Sequence, residues 1–542
     1  MTKPWHKIYG PDTPLEIDAD IYPSAIVMFD EAVTRFSDKP AFECFGKTMT
    51  FAEIDTASCA LAAWLQKTGV KRGDRIALMC PNIFAFPIAM LGILRAGAAQ
   101  VNVNPLYTPH ELAHQLNDAG VETVLIFSGS TPVLAEVLDE TPIRNVVTID
   151  LGDGSGLLIP SPTIDSRLAH AIRFDDVLAE GANLPFDPVE LTGEDIMFFQ
   201  YTGGTTGLSK GAVLTHRNIV ANAMQFKGFL PEAHDEGSEI VVLALPLYHI
   251  FGLMFMIAYI SSGAKHIMIP NPRDMDGMID TIRDSKFSVI PGVNTLFQGL
   301  MAHPGFASVD LSNYKMAIGG GAAVIKATSE QWKTLTGHHI KEGYGLSETS
   351  PLLCVNPFAV TEFTESCGIP VCSTDIKLLD DDGNEVGLGE AGEICAAGPQ
   401  VMRGYWNNDL ANLAAFTPDG YFRTGDIGVF TDQGFLKIVD RKKDMIIVSG
   451  FNVYPNEIEA VVTACEGIAE CACIGVPHEK TGEAARVYAV RSAGAEVSVE
   501  DVIAFCRTEL AGYKVPKQII FVDALPKSNV GKILRRELRT QA

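Results

Sequence analysis

The eleven residues Tyr201-Thr-Gly-Gly-Thr-Thr-Gly-Leu-Ser-Lys-Gly211 hold four glycines, four threonine or serine hydroxyls and one lysine, with no acid among them. Gly203, Gly204 and Gly207 let backbone N–H groups wrap a polyphosphate. Thr202, Thr205, Thr206 and Ser209 add hydroxyl donors, and Lys210 adds charge. The flanks Ile196-Met-Phe-Phe and Ala212-Val-Leu are strand-like, so the loop is expected between two strands. It is not a Walker A loop, because Lys210 follows Ser209 and precedes Gly211, and a strand comes after it. Nor is it a dinucleotide fingerprint, whose glycine spacing and following helix are missing. Taken alone, the run is either a phosphate cradle or a surface loop, and a second, distant signal has to decide.

Three other segments carry chemistry-bearing residues. His110-Glu-Leu-Ala-His114 has the zinc-protease spacing, and Pro109 at a helix start would put both histidines on one face. A catalytic zinc needs a third protein ligand, and no partner motif exists, so a surface helix is the better reading. Asp440-Arg-Lys-Lys-Asp444 sets five charges between apolar runs, either a hinge whose charges meet a ligand or a solvated linker. Lys532 follows a flexible stretch, Pro526 to Gly531, and is expected to open the last helix over 532–538. A cation there opposes the helix dipole, which an anionic ligand or hydration would offset.

The surrounding elements must position these groups. Residues 40–120 alternate strand and helix signals, as in βαβ units with a largely parallel sheet, and a second α/β series begins near Asp195. After Tyr344 short alternating runs suggest a small antiparallel, barrel-like unit ending near Val439. The remainder mixes helices at 455–464 and 500–511 with strands at 470–476, 485–490 and 518–522. The reading is therefore an α/β body, 1–439, subdivided at about 190 and 345, a hinge at 440–444, and an α+β module at 445–542. Val241 to Ile260 is apolar and about the ~20 residues a bilayer needs, but Pro246, His249 and Gly252 interrupt it. A buried strand, a turn and a core helix fit it better, which leaves peripheral membrane contact and a homodimer open.

At 542 residues the chain exceeds one core, and its formal charge of −24 argues against nucleic acid or anionic membranes as general partners. From Asp440 onward 14 basic residues balance 14 acidic ones, so the excess acid lies before it. Eleven cysteines without a Cys-x-x-Cys pair give neither a disulfide scaffold nor a zinc cluster, and the apolar core of a signal peptide is missing from the N-terminus, so a cytoplasmic location is expected. Cys471 and Cys473 read as one face of a buried strand.

Read in order, these pieces resemble the AMP-forming acyl-CoA synthetases of the adenylate-forming enzymes, most nearly the bacterial long-chain fatty-acid–CoA ligases. The loop at 201–211 is similar to the family's phosphate loop, and Leu245-Pro-Leu-Tyr-His-Ile-Phe251 to its apolar, histidine-bearing segment. Gly319-Gly-Gly-Ala-Ala323 and Gly343-Tyr-Gly-Leu-Ser-Glu-Thr349 resemble the adenine and substrate walls. Tyr421-Phe-Arg-Thr-Gly-Asp426 resembles the ribose motif, Asp440–Asp444 the hinge, and Pro526–Lys532 the mobile lysine segment.

The resemblance implies ATP, Mg²⁺ and coenzyme A as cofactor and co-substrates, and a medium- to long-chain fatty acid as the acid, with an aryl acid or a carrier-protein acceptor as the alternative. It assigns catalysis to Lys532, Lys210, Glu348 and His249, with Thr205 and Glu348 at the metal. The nucleotide would be held by Thr202 to Gly207, Lys210, Gly321, Ala322, Gly343, Tyr344, Gly345, Thr349, Asp426, Arg441 and Lys532. Coenzyme A and the hinge would involve Lys443, Ser449, Gly450 and Phe451, and the acyl pocket His249, Phe251, Leu253 and Met256. Some fatty-acid members carry a gating tryptophan where this chain has Leu253.

Overall fold

The computed structural model describes residues 3–202, 209–448, 451–478, 481–528 and 533–540. The chain forms two compact units, Met1–Asp375 with Ala397–Phe416, and Ile376–Ala396 with Thr417–Ala542.

The larger unit contains two sheets. One has eight strands with Arg75–Met79 near its centre, parallel to Ala99–Asn102 and Thr123–Phe127. Next come Ile196–Thr202, parallel to Ala99–Asn102, then Lys210–Thr215 and Gly404–Tyr405, both antiparallel. The other has nine strands, with Ile240–Leu243, Lys265–Met268, Val289–Gly292, Met316–Gly319 and Lys341–Gly345 in its parallel core. Sheets buried on both faces need continuous apolar strands, which Ile-Val-Val-Leu and Val-Leu-Ile-Phe supply. The helix Ala85–Arg95 is buried on every side and packs tightly against the helix Phe51–Lys67. A methyl group on Gly92 would sit 2.7 Å from the Leu61 side chain, so only glycine fits at that contact.

Sheet membership does not follow the boundaries at 190 and 345. Pro40–Cys44 joins the nine-stranded sheet beside Lys265–Met268, whereas Ile196–Thr202 joins the eight-stranded one. Leu352–Val355 and Ile369–Pro370 extend the nine-stranded sheet by antiparallel pairing, and Gly404–Tyr405 edges the other.

In the smaller unit, Asp375–Leu379, Ala391–Ala397, Phe422–Phe430 and Leu436–Arg441 form one sheet in that order. Among the described residues this sheet is open, correcting the barrel-like expectation, because its first and last strands do not pair. A second sheet orders Phe451–Val453, Ile446–Val448, Gly482–Arg491 and Ile468–His478, with Gln518–Phe521 parallel to Gly482–Arg491. Pro455–Ala464 and Val499–Glu509 cover it around a core that includes Ile458, Val462, Cys473 and Val487. The last helix begins at Arg535, not Lys532. Ile533 bridges Lys527 and the Leu534 amide donates to the Pro526 carbonyl at 2.8 Å, so the chain is still extended there. Among the described residues no helix is long and apolar enough to cross a membrane.

Candidate active site

The glycine-rich segment 201–211 is flanked by two strands, as its neighbours in sequence predict. Ile196–Thr202 and Lys210–Thr215 pair antiparallel, with Thr202 opposite Lys210. Gly203, Gly204, Thr205, Thr206 and Gly207 lie outside the described residues. At the loop's exit, Nε2–H of His114 donates to the Ser209 carbonyl at 2.8 Å. Tyr201 donates its hydroxyl to Asp118 at 2.5 Å, and burial with that carboxylate pushes the phenol's pKa well up. Gly211 packs under the Tyr201 ring, which would lie 3.0 Å from a Cβ at that position. The zinc-like pattern thus has a structural explanation. Glu111 caps its own helix, accepting from the Thr108 amide at 2.9 Å, and His114 braces the loop. No metal-holding cluster of His, Cys, Asp or Glu occurs among the described residues.

Lys210 and Glu348 are brought together through a residue that the motifs did not mark. The Lys210 ammonium lies 4.1 Å from the centroid of the Tyr405 ring. The Tyr405 hydroxyl donates to Glu348 Oε1 at 2.8 Å. Tyr405 sits on the strand Gly404–Tyr405, paired with Ala212 just past the loop, and Trp406 donates its amide to the Gly211 carbonyl at 2.8 Å. Glu348 is buried, and its other oxygen has no protein partner among the described residues. That oxygen suits a hard cation such as magnesium. A Gly-Tyr pair ahead of a turn was the only trace of this residue in the sequence.

The wall motifs converge on the same region. Asn294 holds the Gly319–Ala323 loop from below, donating to the Ala323 carbonyl at 2.8 Å and accepting from the Ile325 amide at 3.0 Å. Glu342 accepts from the Val324 amide at 3.0 Å, and burial raises its pKa to about 8. Gly321 has φ +76° and is exposed together with Ala322. Gly345 must be glycine, because a Cβ there would lie 1.8 Å from the Pro351 carbonyl oxygen. Thr349 is fully buried and spends its hydroxyl on backbone, accepting from the Leu346 amide and donating to the Pro351 carbonyl. Gly343 and Tyr344 belong to the strand Lys341–Gly345.

His249 caps the helix Ile250–Ile260, its Nδ1 accepting from the Phe251 amide at 3.3 Å. Asn82 fixes the preceding segment by bonding the Leu243 and Leu245 carbonyls and the Leu247 amide. Leu253 and Met256 are wholly buried, and the Phe251 ring packs on Gly320, about where a Cβ would be 3.0 Å away.

In the smaller unit, Asp426 and Arg441 face each other across antiparallel strands, with Arg441 Nε 3.2 Å from Asp426 Oδ1. Lys443 is exposed. Phe451 contributes backbone to a strand beside Val448. Ser449, Gly450 and Lys532, and the Phe451 side chain, fall outside the described residues. Arg535, three residues past Lys532, is held instead in a charge cluster. It bonds Glu459 at 2.7 Å and Asn456 at 2.5 Å and approaches Asp444 and Asp440.

This chain belongs to the AMP-binding enzymes. The family's main model matches residues 29–406, and that of the AMP-binding enzyme C-terminal domain matches 457–532. It is 46% identical over 559 residues to a long-chain-fatty-acid–CoA ligase of Salmonella typhimurium, covering 100% of this chain and 99% of the relative. A long-chain-fatty-acid–CoA ligase of Yersinia pestis is 47% identical over 554 residues, covering 100% and 98%. Among solved structures, ATP-bound MatB from Rhodopseudomonas palustris superposes with a TM-score of 0.84 at 28% identity, covering 96% of this chain and 99% of that one.

Proposed function

We propose that this protein is an ATP-dependent, AMP-forming fatty-acid–CoA ligase acting on medium- to long-chain acids in the cytoplasm. The observation that carries the reading is full-length identity of 46% to a long-chain-fatty-acid–CoA ligase, and the charged residues the chemistry needs are present. In the first step a fatty carboxylate oxygen attacks the α-phosphorus of ATP, the bond to pyrophosphate breaks, and acyl-adenylate forms. In the second, coenzyme A thiolate attacks the acyl carbonyl and AMP leaves with the bonding electrons. The substrates supply every nucleophile, so the protein's task is positioning and charge stabilisation.

Lys210 and the loop amides would hold the phosphates, Asp426 would accept from the ribose hydroxyls, and Arg441 beside it would face ribose and phosphate. Lys532 would bridge carboxylate and α-phosphate. Glu348, together with Thr205, would hold magnesium through the oxygen that no group among the described residues occupies. When bound, that ion supplies neutralisation of the triphosphate charge. The apolar helix Ile250–Ile260, with Phe251, Leu253 and Met256, would line the acyl tunnel. Rotation about Lys443 between the two steps would withdraw Lys532 and bring Ser449–Phe451 to coenzyme A.

The test is AMP formation across C2 to C18 acids with coenzyme A present. Each buried methylene is worth ~0.8 kcal/mol, so kcat/KM should climb steeply with chain length until the pocket ends. Preference for acetate or a hydroxycinnamate would overturn the fatty-acid assignment. Thioester formed only on a phosphopantetheinylated carrier protein would overturn the acceptor.

A further inference from the structure

We propose that Tyr405 is a positioning residue that presets both charges of the adenylation site, fixing the Glu348 carboxylate with its hydroxyl and seating the Lys210 ammonium on its ring. The inference rests on the roles just given to Glu348 and Lys210.

The geometry is specific to tyrosine. The hydroxyl donates to Glu348 Oε1 at 2.8 Å, so one oxygen is held while the other stays available to a cation. The ring face takes the Lys210 ammonium at 4.1 Å. A cation over an aromatic face is attracted without being neutralised. Among the described residues no carboxylate lies within ion-pair distance of Lys210, so its charge is kept for an incoming phosphate. The phenol thus meets both charges, the carboxylate at its hydroxyl and the ammonium at its face.

The backbone that carries the ring is itself anchored. Asn412 accepts from the Tyr405 amide at 2.6 Å and donates to its carbonyl at 2.9 Å. Tyr405 pairs with Ala212, and the neighbouring Trp406 bonds the Gly211 carbonyl, so the backbone is anchored beside the loop. Trp406 also packs edge-on against Phe199 and donates its indole N–H to the Asp118 carbonyl. Groups that orient a ligating carboxylate typically change metal affinity or activity about 10- to 100-fold when lost.

The test uses the full chain, Tyr405→Phe and Asn412→Ala, with thermal melts as a check on folding. Calorimetric ATP binding and ATP–pyrophosphate exchange with a fatty acid are each followed across a magnesium titration. Tyr405→Phe keeps the ring and loses only the hydroxyl. Its half-saturating magnesium should rise about tenfold or more, with exchange recovering to within about threefold of wild type at saturating magnesium. Asn412→Ala leaves the phenol in place and should shift the same curve in the same direction, by less. Should Tyr405→Phe lose its cooperative melt, Asn412→Ala decides alone. Magnesium curves that superimpose on wild type, or a uniform loss at every magnesium concentration, would overturn the proposal. The binding arm needs no acid. Wild type that binds ATP with magnesium but exchanges with no acid would sink the ligase reading and leave Tyr405 testable.

Discussion

Replacing Arg535 by methionine probes how the segment carrying Lys532 is held. Arg535 bonds Glu459 at 2.7 Å and Asn456 at 2.5 Å, and lies 3.5 and 3.7 Å from Asp444 and Asp440. Asp440 is fully buried, and its oxygens accept from the Arg441 and Asn456 amides at 2.7 and 2.8 Å. Methionine fills similar volume but leaves these carboxylates without their shared cation. Removing one partner of a buried ion pair costs about 3–5 kcal/mol. Burial already raises Glu459 to about 6 despite Arg535, and raises Asp440 as well. An acid whose folded pKa lies above its unfolded value gives stability that is present below the unfolded pKa and lost as pH rises through the folded one. Without Arg535 the folded values climb further. The deficit of Arg535→Met should therefore be widest above pH 6 and shrink toward pH 5, where protonation relieves it. Asp444, held below its usual value by Arg539 and Arg535 against the effect of burial, titrates below this window. All four tryptophans lie in the larger unit, so hydrogen exchange of amides in Pro455–Ala464 and Arg535–Thr540 is the right probe. A deficit under about 1 kcal/mol at pH 8, or one equal at pH 5 and pH 8, would refute the reasoning.

Further outcomes separate the chemistry from the scaffold. Lys532→Ala should cut adenylate formation by about 10²–10³-fold, the usual cost of a lost transition-state donor, while still converting supplied acyl-adenylate to acyl-CoA. Equal damage to both half-reactions would contradict that division. Lys443→Pro should do the reverse, since a φ fixed near −65° would block rotation; single-turnover assays of each step decide it. Gly345→Ala forces a methyl into the Pro351 carbonyl and should cost at least ~1–3 kcal/mol by thermal melting. Gly343→Ala, whose methyl would stand 3.5 Å from Leu352, should melt within a few degrees of wild type.

What the sequence disclosed was local. Loop 201–211 sits between the two strands its flanks predict, and the helix Pro455–Ala464 begins at its proline. The apolar stretch 241–260 resolves into the strand Ile240–Leu243 and the helix Ile250–Ile260, because Pro246 and His249 break it. Sheet membership was not legible, since nothing near Pro40–Cys44 announces a partner at Lys265–Met268. The same blindness explains the late start of the last helix, which depends on the distant bridge from Lys527 to Ile533. The zinc-like pattern has a local cause instead, because Glu111 is committed as a cap to Thr108, three residues before it.

Tyr405 shows why a site can be half legible. Groups proposed to meet substrate, such as Lys210 and Glu348, come in motifs because a loop or turn must present several of them at once. A group that sets their geometry needs only to arrive at the right place, and any strand can deliver it. Tyr405 arrives by pairing with Ala212, an interaction with no spacing rule in sequence. Its chemistry follows from what it meets there, a carboxylate at its hydroxyl and an ammonium at its face. Other such residues in this fold are to be sought at strand edges beside the motifs, where backbone pairing rather than sequence proximity delivers a side chain to the site.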